Sequence, residues 1–316
     1  MSEVETSPMP DQKLPSNLLE AIRHFSNLDV ATEFVAKLRW PNGPVCPRCE
    51  GTDHSYLTTR RIWKCKGCKK QFSVKVGTVF EDSPLGLDKW LPAVWLIANS
   101  KNGISSHELG RALGVTQKSA WFMLHRIRLA MQTGSFEKLS GAVEVDETFI
   151  GGKARNMHAR VRKQKISGTG GKDKATVLGM IERGGKVRAE VVPNTRRRTL
   201  QSRVRGAVEP GSAVYTDALR SYNGLGDEYA HEVVDHAERY VDGQVHTNYM
   251  ENFWAQLKRG LSGTYISVQP FHLFRYLDER VFTFNLRERS DYGRFEGVLG
   301  TVTDRRLTYA ELTGQR

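Results

Sequence analysis

The stretch GAVEVDETFIGG, residues 141–152, decides the fold, because it places Asp146 after the strand-like run AVEV. The stretch SAVYTDALRSY, residues 212–222, repeats this pattern and places Asp217 after AVYT. Short runs of this kind predict buried strands. We therefore expect two strands, each of which delivers a carboxylate at its end.

A third stretch, HTNYMENFWAQLKRG at 246–260, predicts a helix. Asn248, Glu251 and Lys258 recur at steps of three and seven residues and therefore share one helical face. The other faces carry apolar residues that a core can hold, namely Phe253, Trp254, Leu257 and Leu261. Two carboxylates on strands, facing a third ligand on a helix, predict a divalent-metal site.

Such a site suits phosphoryl transfer on DNA, in which the nucleophile and the phosphate repel each other. Two magnesium ions about 3.5–4 Å apart can activate the attacking oxygen and stabilise the leaving one. Magnesium takes carboxylate oxygens as ligands and keeps several waters. We expect two catalytic Mg²⁺ ions, replaceable by Mn²⁺, at Asp146, Asp217 and Glu251. Lys258 is expected to contact a DNA phosphate or to orient the nucleophile.

Each of these residues also has a structural explanation. An aspartate at a strand end can cap a turn, and this applies to Asp146 and Asp217. Asn248 and Glu251 have the spacing of a capping box at the start of a helix. On the first strand, Glu144 shares the face of Asp146, and Glu147 points to the opposite face. Spacing alone leaves catalysis and capping open.

Composition points to a nucleic-acid partner. The net charge of +12 and the pI near 9.6 favour an anionic partner, with a generically basic surface as the alternative. The polar N-terminus has no apolar region of a signal peptide. The longest apolar stretch, LPAVWLIA at 91–98, is too short to cross a bilayer. We expect a soluble, cytoplasmic protein that binds DNA and no membrane.

The 316 residues allow two or three domains. The element pattern predicts an α/β (α+β multidomain) protein with a mixed sheet flanked by helices. We expect a disordered lead, a helical lead with a zinc ribbon, a helix-turn-helix, a catalytic core and a C-terminal tail, at 1–15, 16–82, 83–135, 140–290 and 291–316. Within the core, residues 153–174 carry eight Lys/Arg against one Asp, which predicts a mobile basic loop.

The four cysteines fall in one short segment, as Cys46-x-x-Cys49 and Cys65-x-x-Cys68. Two such pairs can meet at one tetrahedral ion, and four thiolates leave no open position on it. We therefore expect one structural Zn²⁺ per chain in a zinc ribbon, with β-strands in the intervening residues and continuing through KQFSVKVGTVF. Redox chemistry and two disulfides are the alternatives.

Residues 87–132 fit a three-helix, helix-turn-helix module. Ser105 and Glu108 form a capping box, Gly114 makes the turn, and Thr116 can cap the third helix. That helix has a core stripe, made of Ala120, Leu124, Ile127 and Met131. Its opposite face is expected to contact DNA through Gln117, Lys118, Trp121, His125 and Arg128. The alternative is a helical hairpin without groove contacts, in which His125 is a surface histidine.

Two further segments lie between the aspartates. Residues 175–193 predict two strands joined at Arg183-Gly184-Gly185. Residues 195–208 predict a basic helix, which is expected to track DNA through Arg196, Arg197 and Arg198.

The segments VDETFIGGK, VYTDALRSY and HTNYMENFWAQLKRGLSGTY, behind a zinc ribbon, closely resemble the ISXO-like family of bacterial insertion-sequence transposases. The resemblance runs from about residue 25 to 312 and includes the late RLTYAELTG. It implies a ribonuclease-H-like core and a DDE-type, metal-dependent strand-transfer mechanism. It also implies binding to element ends and target DNA as a dimer or a larger assembly, in a bacterial nucleoid.

Carried over by position, Asp146 and Asp217 match the two family aspartates, and Lys258 matches the basic position after the third ligand. Many DDE transposases use glutamate as the third ligand, which Glu251 matches. In this family an asparagine can take that place, which makes Asn248 a rival. Two other functions stay open: a non-enzymatic DNA-binding regulator with a degenerate core, and a stand-alone nuclease.

Overall fold

The computed structural model describes residues 14–132, 137–151, 158–160, 174–234 and 246–315. Two predictions therefore fall almost wholly outside the described residues, namely the disordered lead at 1–15 and the basic loop at 153–174. Within the described ranges, no helix combines the length and the apolar character that a membrane span needs.

The chain begins with two helices and a small sheet. Helices α1 and α2 each begin after an asparagine whose side chain accepts backbone N–H groups of the first turn, as predicted for two short helices. The ribbon strands β1, β2 and β3 pair antiparallel in that order. After β3, the residues of KQFSVKVGTVF do not continue as a strand, so that part of the prediction was wrong. The bounds are Leu18–Phe25, Leu28–Arg39, His54–Leu57, Ile62–Cys65 and Gln71–Phe72.

Three helices follow, α3 (Leu87–Asn99), α4 (Ser106–Leu113) and α5 (Gln117–Met131). The predicted capping box at the start of α4 is present in both directions. Gly114 ends α4 with a φ of 66°, a left-handed conformation that favours glycine. Thr116 accepts the Ser119 backbone N–H and caps α5. The local signals of this region were therefore read correctly from the sequence.

The second half of the molecule is built on a five-stranded mixed sheet, as the sequence predicted. Its order is β6-β5-β4-β7-β8. Strand β5 pairs antiparallel with both β4 and β6, and β7 pairs parallel with both β4 and β8. This order is consistent with a ribonuclease-H-like core. The strands run Ala142–Ile150, Ala175–Glu182, Val187–Val192, Ala213–Asp217 and Ala230–Val234 for β4 to β8.

Helices cover both faces of this sheet. Helix α6 (Arg197–Ala207) packs Leu200 and Val204 against one face. Helix α7 (Asn248–Gly260) packs Met250 and Phe253 against the other. The residues of β4 therefore alternate between a face under α6 and a face under α7.

The C-terminal residues do not form a tail, which corrects the prediction for 291–316. Helix α8 (Leu273–Asn285) runs back from the sheet, and α9 (Asp291–Leu299) and α10 (Tyr309–Thr313) follow it. Phe295 of α9 is fully buried against rings of the N-terminal helices, with ring centroids 5.6 Å from Phe25 and 5.2 Å from Trp95. The spacing of apolar residues in α9 indicates that one face of this helix is buried. It does not indicate that this face completes the core formed by α1 to α5.

Candidate active site and zinc centre

Strand β4 carries acidic side chains on both of its faces. Asp146 and Glu144 lie on the face under α7, and Glu147 lies on the opposite face, as the alternation predicted. Asp146 is not at the end of a short strand, which corrects that expectation, because β4 continues to Ile150. The continuation is stabilised by β5, which pairs with β4 from Val143 to Ile150.

Asp146 is largely enclosed. Its Oδ2 accepts a hydrogen bond from the indole Nε1 of Trp254, at 2.9 Å. Gly179 lies opposite Asp146 in the sheet, and a Cβ there would lie only 2.5 Å from a ring carbon of Trp254, so glycine lets α7 approach closely. Burial raises the pKa of Asp146 to about 6 against the effect of the Trp254 bond, and the charges of Asp217 and Glu251 raise it further.

Asp217 ends β7 beside Asp146. Paired residues of β4 and β7 differ by 71 positions, and the last pair is Glu144 with Tyr215. Asp146 and Asp217 also differ by 71 positions, so they extend this register two residues beyond the last pair, where the strands part. Asp217 Oδ1 also accepts the Leu219 backbone N–H at 3.1 Å, so the turn-capping explanation holds for this residue as well. A carboxylate has further lone pairs, so this bond does not preclude metal ligation.

The third predicted segment begins at Asn248 as a helix, but not through a capping box. The N-cap is Thr247, and its side chain makes no capping bond. The capping-box explanation for Asn248 and Glu251 is therefore wrong. Asn248, Glu251 and Lys258 are exposed on α7, and the charge of Glu251 acts on Asp146.

Glu147 is a member of this acidic group that the sequence interpretation left out. Its Oε2 accepts a hydrogen bond from the buried Tyr222 hydroxyl at 2.5 Å. Burial raises the pKa of Glu147 to about 7 against the Tyr222 bond, and Asp217 and Asp146 raise it further. The sequence signal for including Glu147 was its position next to Asp146. Strand alternation places the two side chains on opposite faces, and the sequence interpretation therefore left Glu147 out.

The donors at this end of the sheet suit a hard divalent cation. The charges of Asp217 and Glu251 raise the pKa of Asp146, and a cation bound among the carboxylates of β4, β7 and α7 would relieve that repulsion. They are spread more widely than the zinc ligands, since among the described residues only the cysteines bring three or more ligand atoms within 4.8 Å of one another.

The four cysteines form a compact thiol cluster. Cys46 Sγ lies 3.7 Å from Cys68 Sγ, and Cys49 Sγ lies 3.5 Å from Cys65 Sγ. Sulfurs placed 2.3 Å from a tetrahedral zinc are about 3.8 Å apart, so the cluster fits that ion. The distances are far too long for disulfides, and all four thiols are free. Backbone N–H groups, that of Arg48 first, lower the pKa of Cys46 to about 7. Against the effect of the Gly51 backbone N–H, the other three thiols raise the pKa of Cys49 to about 11.

Helix α5 differs from the predicted recognition helix over most of its length. Gln117 and Lys118 are exposed at its N-terminus, and Trp121 is half-buried. His125 and Arg128 are buried, at 0% and 1% exposure, so their predicted placement on a DNA-facing surface was wrong. The reason is that α8 covers this face of α5.

The basic positions at the start of α6 are accessible. Arg196 is the N-cap of α6, and Arg197 and Arg198 follow in its first turn, all three exposed. Cations at a helix N-terminus are disfavoured by the helix dipole, so a bound anion would stabilise them there.

Two family models match the chain. The ISXO2-like transposase domain matches residues 138–285, and the transposase zinc-ribbon domain matches residues 27–71. An uncharacterized protein in transposable element ISH50 of Halobacterium salinarum is 30% identical over 257 residues, which cover 76% of this chain and 85% of that protein. An uncharacterized transposase-like protein of Haemophilus influenzae is 36% identical over 104 residues, 33% of this chain and 84% of that protein.

Proposed function

The chain belongs to the ISXO2-like family of insertion-sequence transposases, and we propose that it cuts the ends of its element and joins them to target DNA. The observation that carries this proposal is the register of Asp146 and Asp217 on parallel strands, with the charge of Glu251 acting on Asp146. Such an acidic group is typical of metal-dependent phosphoryl transfer.

In this proposal, Asp146, Asp217 and Glu251 would hold two Mg²⁺ ions, or Mn²⁺ in their place. Ions held there would supply charge neutralisation to the reacting phosphodiester. Water attacks phosphorus at the element end, and the bond to the 3′ oxygen breaks, which frees a 3′ hydroxyl. That hydroxyl then attacks a target phosphorus in line, and the target's own 3′ oxygen leaves. Lys258 binds a phosphate next to the reacting one.

Glu251 is the better third ligand of the two candidates. The effect of its charge, which raises the pKa of Asp146, supports this choice. Asn248 lies one helical turn earlier and offers a neutral oxygen, so it serves as a supporting ligand.

DNA recognition is assigned to three exposed basic or polar regions. The zinc ribbon, the N-terminus of α5 with Gln117 and Lys118, and the Arg196–Arg198 cluster would contact backbone or groove. Because two ends are joined in concert, the active form is expected to be a dimer or a larger assembly on DNA.

The test is a cleavage and joining assay with labelled DNA that carries the ends of the chain's own element. Asp146→Asn, Asp217→Asn and Glu251→Gln should each slow cleavage by at least about a thousandfold, equivalent to about 4 kcal/mol of transition-state stabilisation. Asn248→Ala should lose less than about tenfold, and Asp227→Asn, at an exposed aspartate outside the site, should match the wild type. Full cleavage by either Asp146→Asn or Asp217→Asn would refute the catalytic assignment.

The same assay separates the alternatives. A stand-alone nuclease would cleave but form no joined product. A regulator would bind end DNA with no cleavage, and the aspartate variants would change nothing but binding.

The ribbon is tested by metal analysis of the purified full chain. We expect one zinc per chain, and its loss in Cys65→Ser. A zinc-free wild-type chain would overturn the assignment of the cysteine cluster.

A further inference from the structure

A second acidic residue of β4, Glu144, lies fully buried below the active site. Its Oε1 lies 2.9 Å from Arg183 Nε and 3.1 Å from His246 Nδ1. Its Oε2 accepts the Met250 backbone N–H at 3.0 Å. A buried carboxylate needs such partners, because an unpaired charge in the interior is costly.

These contacts tie three parts of the chain together. Arg183 belongs to the hairpin between β5 and β6, and its guanidinium lies 4.1 Å from the centre of the Tyr215 ring on β7. The Nη2 of Arg183 donates to the His246 carbonyl oxygen at 2.8 Å. His246 lies two residues before α7. Arg183 and Glu144 therefore hold the point at which the chain leads into the helix that carries Glu251.

The hydrogen bond from the Met250 backbone N–H to Glu144 also takes the place of a side-chain N-cap, which α7 lacks. The first N–H groups of a helix have no partner within it, and Thr247 makes no side-chain cap for α7. Met250 occupies the third position of α7, where a capping oxygen usually accepts. Glu144 provides that oxygen from a neighbouring strand, and its negative charge suits the positive end of the helix.

Glu144 and Asp146 together hold α7 at two successive turns. Glu144 accepts from Met250, and Asp146 accepts from Trp254, four residues later. Two residues of a strand advance about 6.6 Å and four residues of a helix about 6 Å, so the two spacings match. This match fixes both the height and the rotation of α7 over β4.

We propose that Glu144 is a positioning residue, which with Arg183 and His246 sets α7 so that Glu251 faces Asp146. The inference rests on the proposed function, because it concerns the third ligand of the same metal site. Glu144 lies behind the ligands and binds no ion itself. Its effect is on the affinity of the site for the metal, since residues that orient ligands typically change that affinity about 10- to 100-fold.

The test is Mn²⁺ binding to the full chain without DNA, followed by electron paramagnetic resonance. Glu144→Gln keeps the shape and one acceptor oxygen but loses the charge that holds Arg183. We expect it to weaken Mn²⁺ binding about tenfold and to raise by a similar factor the Mg²⁺ concentration that half-saturates cleavage. The matched control is Glu190→Gln, which removes a glutamate of the same sheet that pairs with Arg203 at the surface. The control should bind Mn²⁺ as the wild type does.

A merely structural role would lower the folded fraction and leave the Mn²⁺ affinity of the remaining protein unchanged. Wild-type affinity in folded Glu144→Gln would therefore overturn the positioning role alone. Mn²⁺ binding that survives Asp146→Asn would instead overturn the proposed metal site, and the positioning role with it.

If Glu144→Gln does not fold, Arg183→Lys decides the question. Lysine keeps the positive charge but has a single nitrogen, which cannot bridge Glu144 and the His246 carbonyl in the same way. We expect an approximately threefold loss of Mn²⁺ affinity, and an unchanged affinity would overturn the proposal.

Discussion

Two buried glutamate–arginine pairs hold this molecule together, and they are built differently. Glu144 and Arg183 lie beneath the candidate active site, where every oxygen of the carboxylate has a partner. Glu279 of α8 and Arg128 of α5 join the half that contains the five-stranded sheet to the helical half, which contains α1 to α5, with Arg128 Nε 2.7 Å from Glu279 Oε2. In the second pair, one Arg128 nitrogen and both ring nitrogens of the adjacent His125 have no hydrogen-bond partner among the described residues.

The difference shows that a pair with complete hydrogen bonding and a pair with an unpaired nitrogen serve separate purposes. The Glu144 pair sets the geometry of one helix over one strand. The Glu279 pair fastens α5 to α8, and Arg128 is held there also by the faces of Tyr276 and Tyr265, 4.1 Å and 5.0 Å from the ring centres. Rings compensate in part for the unpaired nitrogen. The joint between the halves therefore relies on ring faces as well as on the ion pair.

The largest effect is expected from breaking the joint. Arg128→Met leaves Glu279 buried without its cation, and we expect the free energy of unfolding to fall by about 3–5 kcal/mol. Chemical denaturation of the full chain measures it. The double variant Arg128→Met/Glu279→Met should recover most of the loss, because neither charge is then buried. A double variant as unstable as the single one would show that the pair is not the source of the effect.

A smaller effect is expected from acid. Burial, with the charges of Arg128, His272 and Arg275, lowers the pKa of His125 to about 2. An unfolded histidine titrates near 6.5, so between pH 6.5 and 2 the unfolded state binds a proton that the folded state does not, and stability falls as the pH falls.

From pH 6.5 to 5, this linkage amounts to about 2 kcal/mol for one such histidine. The variant His125→Phe should remove that part of the pH dependence, as shown by denaturation at the two pH values. A phenylalanine variant that loses stability with acid as steeply as the wild type would contradict the assignment to His125.

The smallest effect is expected from removing the hydrogen bond that Glu279 accepts from Tyr265. The Tyr265 hydroxyl donates to Glu279 Oε1, and Tyr265→Phe removes that bond while Arg128 stays paired. We expect a loss of about 1 kcal/mol in the free energy of unfolding. Tyr309→Phe, at a partly exposed ring in α10, is the control and should change little. A loss as large as that of Arg128→Met would mean that Glu279 depends on Tyr265 rather than on Arg128.

The sequence predicted features that depend on near neighbours in the chain. Paired CxxC knuckles, the capping box at Ser105, and the strands that carry Asp146 and Asp217 are all local patterns. It failed where distant segments meet. His125 and Arg128 were assigned to the surface because charged and polar residues usually lie there. They are buried because Glu279, 151 residues away, and the rest of α8 cover them.

The candidate active site shows the same limit. Alternation predicted that Glu144 and Asp146 share one strand face, but the role proposed for Glu144 depends on Met250, which is 106 residues away and donates through its backbone. A backbone donor has no residue-type signal in the sequence. The family resemblance supplied Glu251 and Asn248 as rivals for the third ligand, and the charge of Glu251 that acts on Asp146 supports the proposal of Glu251.

The burial of Phe295 among Phe25, Phe34 and Trp95 has a consequence for synthesis. Domains usually fold in order as they leave the ribosome. Here the N-terminal helices cannot complete their core before α9 has been synthesised. The Val79 N–H likewise cannot form its hydrogen bond to the Val302 carbonyl before that residue has been synthesised. The helical half is therefore completed only after residues 295–302 have been synthesised, and a product truncated before them would expose the apolar surface that α9 covers.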